Sequence, residues 1–196
     1  MRLAFIDTET TGLDPEIAEV IEVAIIRVEP GKIPEYFETR IKPERIEFAH
    51  PKALEVNGYA ADPSRWDNAP LMSEFGELIV NTLKGCTLVG HNVAFDEAML
   101  NANLQRAGIH RRVPYRKIDT QMLAMEHLYP LGLERTAMDA VRSFLSWDKE
   151  GSHTAMKDAK DARKLFNLTW RMGWARKVRL RMRLRLQQMR QSKGWG

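Results

Sequence analysis

The run VIEVAIIRV at residues 20–28 constrains the fold more than any other stretch of this chain. It is rich in β-branched side chains and has the length of a strand, so it predicts a strand in the centre of a sheet. A short apolar run at 3–6 precedes it, and alternating apolar and charged residues at 37–42 follow it. Because short connections join these segments, they predict an antiparallel meander of three strands.

The rest of the chain alternates helical patterns with short apolar runs. Apolar residues at helical spacing predict helices over four segments, 71–83, 95–102, 137–145 and 154–170. Two more strands are expected at 86–89 and 116–118, and a partly helical excursion is expected at 44–70. The pattern therefore predicts an α/β fold with five strands.

Charge is distributed unevenly along the 196 residues. The net charge of +4 combines 30 basic with 26 acidic side chains, yet residues 171–196 contain nine basic residues and no acidic one. The first 170 residues therefore carry a net charge of −5. This asymmetry predicts a domain at 1–170 and a basic C-terminal tail at 171–196, whose Arg, Leu and Met content favours a helix. The tail could contact phosphates, dock on an acidic partner or remain solvated.

Composition excludes several classes of protein. With 44% hydrophobic and 29% charged residues, the chain is neither a disordered polypeptide nor a collagen-like fibre. Because Cys86 is its one cysteine, an intramolecular disulfide is excluded. The sequence contains no run of about 18 apolar residues, which is the length needed to cross a membrane. Asp7 comes too early for the apolar core of a signal peptide. We therefore expect a cytoplasmic protein that does not bind membranes.

Polar clusters occur at the ends of three predicted elements. They are Asp7 with Glu9, Asn92 with Asp96, and His153 with Asp158. Each cluster alone has an ordinary explanation as a solvated strand end, a helix cap or a surface imidazole. Their recurrence at three element ends favours a shared site.

These clusters supply four carboxylates and one imidazole. Carboxylate oxygens suit hard cations such as Mg²⁺ or Mn²⁺. Two such ions, about 3.5–4 Å apart, can hold the attacking and leaving oxygens of a phosphodiester. A histidine with a pKa of about 6.5 can accept a proton from water near neutral pH. The residues therefore suit metal-assisted hydrolysis of an anionic substrate.

Three motifs resemble those of the DEDDh, or DnaQ-like, 3′→5′ exonucleases: DTETTG at 7–12, HNVAFD at 91–96 and HTAMKDA at 153–159. The resemblance covers roughly residues 1–170 and includes the order and spacing of the motifs. It implies a ribonuclease H-like fold with a five-stranded mixed sheet flanked by helices. In this sheet, an antiparallel meander of three strands is followed by two parallel strands. It also implies release of nucleoside 5′-monophosphates from a 3′ end.

The resemblance assigns roles to individual residues. Two divalent ions, Mg²⁺ or Mn²⁺, would be bound by four carboxylates, those of Asp7, Glu9, Asp96 and Asp158. His153 would act as the general base. Thr10 and Leu13 would line the pocket for the terminal nucleotide, and Asn92 is a further candidate unless it caps a helix. Asp119 would cap a helix or support the site rather than bind a metal.

By analogy with this family, the expected substrate is a single-stranded DNA 3′ end, with a role in proofreading or repair and a DNA polymerase as a candidate partner. One alternative is a 3′→5′ exoribonuclease, because no motif identifies the groups that would read a 2′-hydroxyl. Another is a polymerase-associated or nucleic-acid-binding subunit with little catalysis.

Overall fold

In the computed structural model, which describes residues 1–148, 150 and 154–192, five strands form one sheet. The strands are β1 (Leu3–Thr10), β2 (Val20–Val28), β3 (Glu35–Arg40), β4 (Thr87–Gly90) and β5 (Lys117–Asp119). Their order across the sheet is β3-β2-β1-β4-β5. β2 is antiparallel to β1 and β3, whereas β4 is parallel to β1 and β5. The predicted α/β class and mixed sheet are confirmed.

Seven helices are present in the part of the chain that the structure describes. They are α1 (Pro51–Val56), α2 (Met72–Leu83), α3 (Val93–Arg106), α4 (Thr120–Leu128), α5 (Met138–Phe144), α6 (Ala155–Thr169) and α7 (Trp174–Ser192). The excursion at 44–70 contains α1 between two 3₁₀ turns, Ile46–Phe48 and Pro63–Trp66. Among the helices described, none is both long and apolar enough to cross a membrane.

β1 continues beyond its apolar run at 3–6 and ends at Thr10, so Asp7 and Glu9 lie in its last residues. Its polar half is a strand because pairing with β2 continues past Asp7. The register then shifts by one residue, since Glu9 lies opposite Glu22 but Thr10 lies opposite Val20. This bulge lies next to the acidic cluster, a position where bulges commonly redirect side chains.

The bulge bypasses Ile21 in the pairing of β1 with β2. The carbonyl oxygen of Ile21 accepts hydrogen bonds from the Ile41 N–H at 2.9 Å and from Trp66 Nε1–H at 2.8 Å. Trp66 is buried, with 2% of its surface exposed. One backbone oxygen thus ties both ends of the excursion to the sheet.

The chain divides into two compact units, and the first comprises residues 1–120 and 151–163. This unit contains the sheet, α1 to α3 and the beginning of α6. Its core packs Ile6, Val23 and Ile25 of the strands against Ile79 of α2 and Leu100 of α3. The β-branched residues that predict β2 therefore serve its central, buried position.

The second unit comprises residues 121–150 and 164–196 and is helical where described. Leu128, Val141 and Leu165 form part of its core, which also includes Leu180 and Leu184 of α7. α7 therefore packs into a core, although it lies within the basic segment 171–196.

The apolar residues of α7 occupy two faces of the helix. Leu180 and Leu184 are buried, whereas Met182 and Leu186 are 56% and 55% exposed. Successive residues of a helix are about 100° apart, so an alternating sequence places its apolar side chains on opposite sides.

Candidate active site

Three carboxylates converge near the end of β1. Asp7 and Glu9 are two residues apart on the strand and therefore point to the same side, and Asp158 approaches them from the first turn of α6. One carboxylate oxygen from each residue lies within 4.8 Å of the other two. All three residues are half-buried. Their donors fit a hard divalent cation, which prefers oxygen ligands.

The fourth predicted ligand, Asp96, is buried in the first turn of α3 and is only 3% exposed. Thr8 Oγ1 donates a hydrogen bond to Asp96 Oδ1 at 2.8 Å. This hydroxyl, which lies between Asp7 and Glu9 in the sequence, holds the α3 carboxylate beside β1. Burial raises the pKa of Asp96 to about 7, although the hydrogen bonds from Thr8 oppose the change.

The carboxyl group of Glu9 also has a raised pKa. Burial, and then the negative charges of Asp158, Glu22 and Asp96, raise the pKa of Glu9 to about 8. Crowded carboxylates repel one another, so one of them retains a proton near neutral pH unless a cation neutralises the group. Carboxylates perturbed in this way are typical of functional sites, and a divalent ion would take the place of the proton.

The sequence reasoning missed Glu22, which lies opposite Glu9 on β2 and is buried. Glu22 Oε1 accepts a hydrogen bond at 2.9 Å from the N–H of Ala155, the first residue of α6. On its other side, Arg40 Nε lies 3.8 Å from Glu22 Oε2. Glu22 therefore anchors the start of the helix that carries Asp158. An acidic residue inside an apolar strand is the signal that could have identified it.

A cavity of about 700 Å³ opens beside Glu9. Thr10 and Leu13, to which the family resemblance assigns contact with the terminal nucleotide, both line this cavity. The side chain of Leu13 is 83% exposed. The hydroxyl of Thr10 donates to the Gly12 carbonyl at 2.7 Å and so stabilises the turn after β1.

The excursion supplies another wall of this cavity, which the sequence analysis did not assign. Phe48, His50 and Val56 line it together with Ile17. Phe48 is 54% exposed, although an apolar side chain of this size is usually buried. His50 Nδ1 accepts a hydrogen bond from the Lys52 N–H and thereby caps α1. The irregular spacing of apolar residues at 44–70 concealed this wall.

Asn92 occupies a different position from Thr10 and Leu13. It is exposed, does not line the cavity beside Glu9, and adopts a left-handed conformation with a φ of 70°. Asn92 is the N-cap residue of α3, but within the described part of the chain its side chain makes no capping hydrogen bond to that helix. Its N–H instead donates to Asp119 Oδ1 at 3.1 Å. Asp119 directly precedes α4 and thus supports the loop between β4 and α3.

His153, the predicted general base, lies outside the residues that the structure describes. The described chain resumes at Thr154, immediately before α6. The role of His153 stays a prediction from the motif at 153–159.

Comparison with known proteins gives the same indication as the motifs. Residues 4–166 match the model of the RNase_T family, described as "Exonuclease". A DNA polymerase III of the PolC type from Thermotoga maritima is 30% identical over 162 residues, which is 82% of this chain and 11% of that protein. The DNA polymerase III subunit epsilon of Treponema pallidum is 28% identical over 160 residues, covering 82% of this chain and 72% of that subunit.

A similar fold is found in E. coli exonuclease I, solved in complex with a dT13 oligonucleotide. That structure has a TM-score of 0.73 and 20% sequence identity, and it covers 91% of this chain and 42% of exonuclease I. The likeness confirms the predicted ribonuclease H-like fold. The chain spans only about one tenth of the length of the PolC-type relatives that it matches.

Proposed function

Because this chain belongs to the RNase_T family of exonucleases, we propose that it removes nucleotides from the 3′ end of single-stranded DNA with the help of divalent cations. The observation that carries the proposal is the convergence of Asp7, Glu9 and Asp158 within 4.8 Å. Of these three residues, Glu9 also lines the cavity of about 700 Å³.

In this proposal, four residues hold two Mg²⁺ or Mn²⁺ ions: Asp7, Glu9, Asp96 and Asp158. When bound, divalent ions stabilise charge on the attacking and leaving oxygens of a phosphodiester. Thr8 keeps Asp96 in place through its hydroxyl, and Glu22 keeps the start of α6 in place through the Ala155 N–H. His153 accepts a proton from the attacking water, and a nucleoside 5′-monophosphate is released.

The cavity beside Glu9 would receive the terminal nucleotide. Leu13 and Phe48 expose apolar side chains there, which suits contact with the flat face of a base. Thr10 shapes the turn that carries Leu13. Asn92 is a weaker candidate for substrate contact because it does not line this cavity.

The names of the relatives favour DNA as the substrate. The matches include DNA polymerases III and exonuclease I bound to a dT13 oligonucleotide. We therefore infer a role in proofreading or repair, with a DNA polymerase as a candidate partner. The basic segment 171–196 is a candidate contact for phosphates or for that partner, because Arg179, Arg181 and Arg183 of α7 are exposed.

The test is digestion of 5′-labelled oligonucleotides with Mg²⁺, using the Asp7→Asn variant as control. We expect the wild-type protein to shorten single-stranded DNA one nucleotide at a time, and the variant or a chelator to stop the reaction. If the labelled oligonucleotide remains equally long with the wild-type protein and with the variant, the proposal is contradicted. Faster digestion of RNA would identify an exoribonuclease, whereas tight binding without digestion would identify a binding subunit.

A further inference from the structure

A second cavity, of about 450 Å³, lies in the first unit at the opposite end of the sheet. Two segments form most of its lining: residues 84–87, which lead into β4, and residues 111–116, which lead into β5. Thr87 pairs with Leu3 at the start of β1. Asp7 and Glu9 are four and six positions after Leu3, so the cavity is about 13 Å from Asp7 and about 20 Å from Glu9 along the strand.

Four basic side chains line this cavity, those of Lys84, Arg111, Arg112 and Arg116, and none of the described lining residues is acidic. Arg111 is paired with Glu77 at 2.6 Å. Among the described residues, no carboxylate forms an ion pair with the side chain of Lys84, Arg112 or Arg116. Like charges gathered around a concave surface attract anions to it.

An exposed aromatic ring lies among these cations. Tyr115 is 75% exposed, and the guanidinium of Arg116 lies 5.8 Å from the centroid of its ring. Pro114, which directly precedes Tyr115, also lines the cavity. An aromatic ring beside arginines offers a base a stacking surface and its phosphates several charged partners.

The segment that carries these side chains is held in a defined conformation. Val113 is buried, and its N–H donates to Asn101 Oδ1 at 3.1 Å. The Arg116 carbonyl accepts a hydrogen bond from the Leu88 N–H at 2.9 Å as β4 and β5 pair. Tyr115 and Arg116 are therefore presented by a backbone that is held on both sides, which lowers the entropic cost of binding.

We propose that this cavity binds single-stranded nucleic acid, with phosphates on Lys84, Arg112 and Arg116 and one base stacked on Tyr115. The proposal rests on the proposed exonuclease function, to which it adds a binding site remote from the reacting end. A trinucleotide engaged at the carboxylates would be too short to reach this cavity, because a stacked strand rises only about 3.4 Å per nucleotide along its axis and three nucleotides extend about 10 Å. The site would therefore contribute to the binding of long substrates alone.

The experiment compares a triple variant, Lys84→Ala with Arg112→Ala and Arg116→Ala, with a matched triple control. The control changes three exposed cations that line neither cavity, Lys32→Ala with Lys42→Ala and Arg135→Ala. Fluorescence anisotropy measures the binding of oligothymidylate of about 20 nucleotides, which exceeds the ~4–16 nucleotides covered by single-strand binding folds. Both triples are placed in an Asp7→Asn background with a chelator, so that binding is measured even if the wild-type protein degrades nothing.

We expect the triple variant to raise the Kd for the long oligonucleotide about 10-fold or more and to reduce the slope of log Kd against log salt by about 2. With Asp7 intact, it should digest a trinucleotide at the wild-type rate. Tyr115→Ala should weaken binding of the single strand about 5-fold or more, and Tyr115→Phe should preserve it. Duplex DNA should be insensitive to both Tyr115 changes.

Equal affinities of the two triple variants would overturn the proposal. It would also fail if Tyr115→Ala had no effect, because the cavity would then be a simple anion attractor. Displacement of the oligonucleotide by polyglutamate at the same charge concentration would identify an acidic protein as the occupant instead. Displacement by thymidine 5′-monophosphate would restrict the site to a free nucleotide.

Discussion

The two ends of the same sheet carry opposite charge, and they are built in different ways. At one end, Asp7, Glu9 and Asp158 converge, and the pKa of Glu9 rises because negative charges crowd around it. At the other end, Lys84 and Arg112 line an open cavity, where the side chains are exposed to solvent. Buried charge changes protonation and stability, whereas exposed charge mainly changes association with other molecules.

The largest expected effect is at the acidic end. Asp158→Asn should reduce the rate of DNA digestion at least ~1000-fold, because it removes charge that a divalent ion needs in order to stabilise the reacting oxygens. Single-turnover digestion with Mg²⁺ measures this rate. The matched control is Glu16→Gln, which neutralises an exposed carboxylate outside the cluster and should leave the rate unchanged. Similar losses in both variants would contradict the assignment of Asp158.

The second prediction concerns proton binding by Glu9 in the absence of metal. Its pKa is about 8 in the folded chain, against an ordinary value of 4.5. In this window the folded chain holds a proton that the unfolded chain releases, so stability falls as pH rises from about 5 to about 9. Each unit of pKa shift corresponds to about 1.4 kcal/mol.

Urea unfolding with a chelator, repeated across this pH range, measures the effect. Relative to the wild-type protein, Glu9→Gln should become increasingly stable as pH rises, because it cannot lose that proton. Addition of Mg²⁺ at high pH should stabilise the wild-type protein more than the variant. If the free energy of unfolding changes with pH in the same way for the wild-type protein and for Glu9→Gln, the raised pKa of Glu9 is ruled out.

The third prediction separates the hydrogen bond of Glu22 from its charge. Glu22→Ala leaves the Ala155 N–H without its present acceptor, and we expect a loss of about 1–3 kcal/mol in stability and about 10–100-fold in rate. Glu22→Gln keeps an acceptor oxygen and should recover most of the stability. Rates at several Mg²⁺ concentrations, with thermal unfolding, distinguish the two variants. If both lose the same activity, the charge of Glu22 matters more than its anchoring of α6.

The smallest effect should come from the basic end. Arg111→Ala breaks an exposed ion pair with Glu77, and such pairs contribute less than about 1 kcal/mol. Denaturant unfolding at low and high salt should therefore show nearly the same stability as the wild-type protein. A loss of several kcal/mol would mean that this end is structurally important in the same way as the acidic end.

The sequence predicts the acidic end well because its residues carry local signals. β2 has the predicted bounds, since its β-branched residues occupy the buried centre of the sheet. Asp7, Glu9 and Asp158 could be identified because their motifs are short and occur at element ends. The bulge at the end of β1 was not predicted, because it depends on the pairing of β1 with β2.

The cavity at the basic end could not be predicted in this way. Its two segments, 84–87 and 111–116, are far apart in the sequence and meet only because β4 pairs with β5. The wall formed by Phe48 was also missed, since no periodic pattern marks the excursion. The left-handed backbone at Asn92 likewise has no sequence signal beyond the tolerance of asparagine for that conformation.

The double use of the Ile21 carbonyl has a consequence for how such a domain can evolve. Ile41 and Trp66 are clamped to the same oxygen, so the chain between them forms a closed loop with fixed ends. Exposed residues of that loop, such as Phe48, can be replaced while its ends stay in place. Asn57 is more constrained, because it is buried and its Nδ2–H donates to the Thr10 carbonyl at 3.0 Å. The exposed wall of the cavity can therefore diversify while the end of β1 keeps its position.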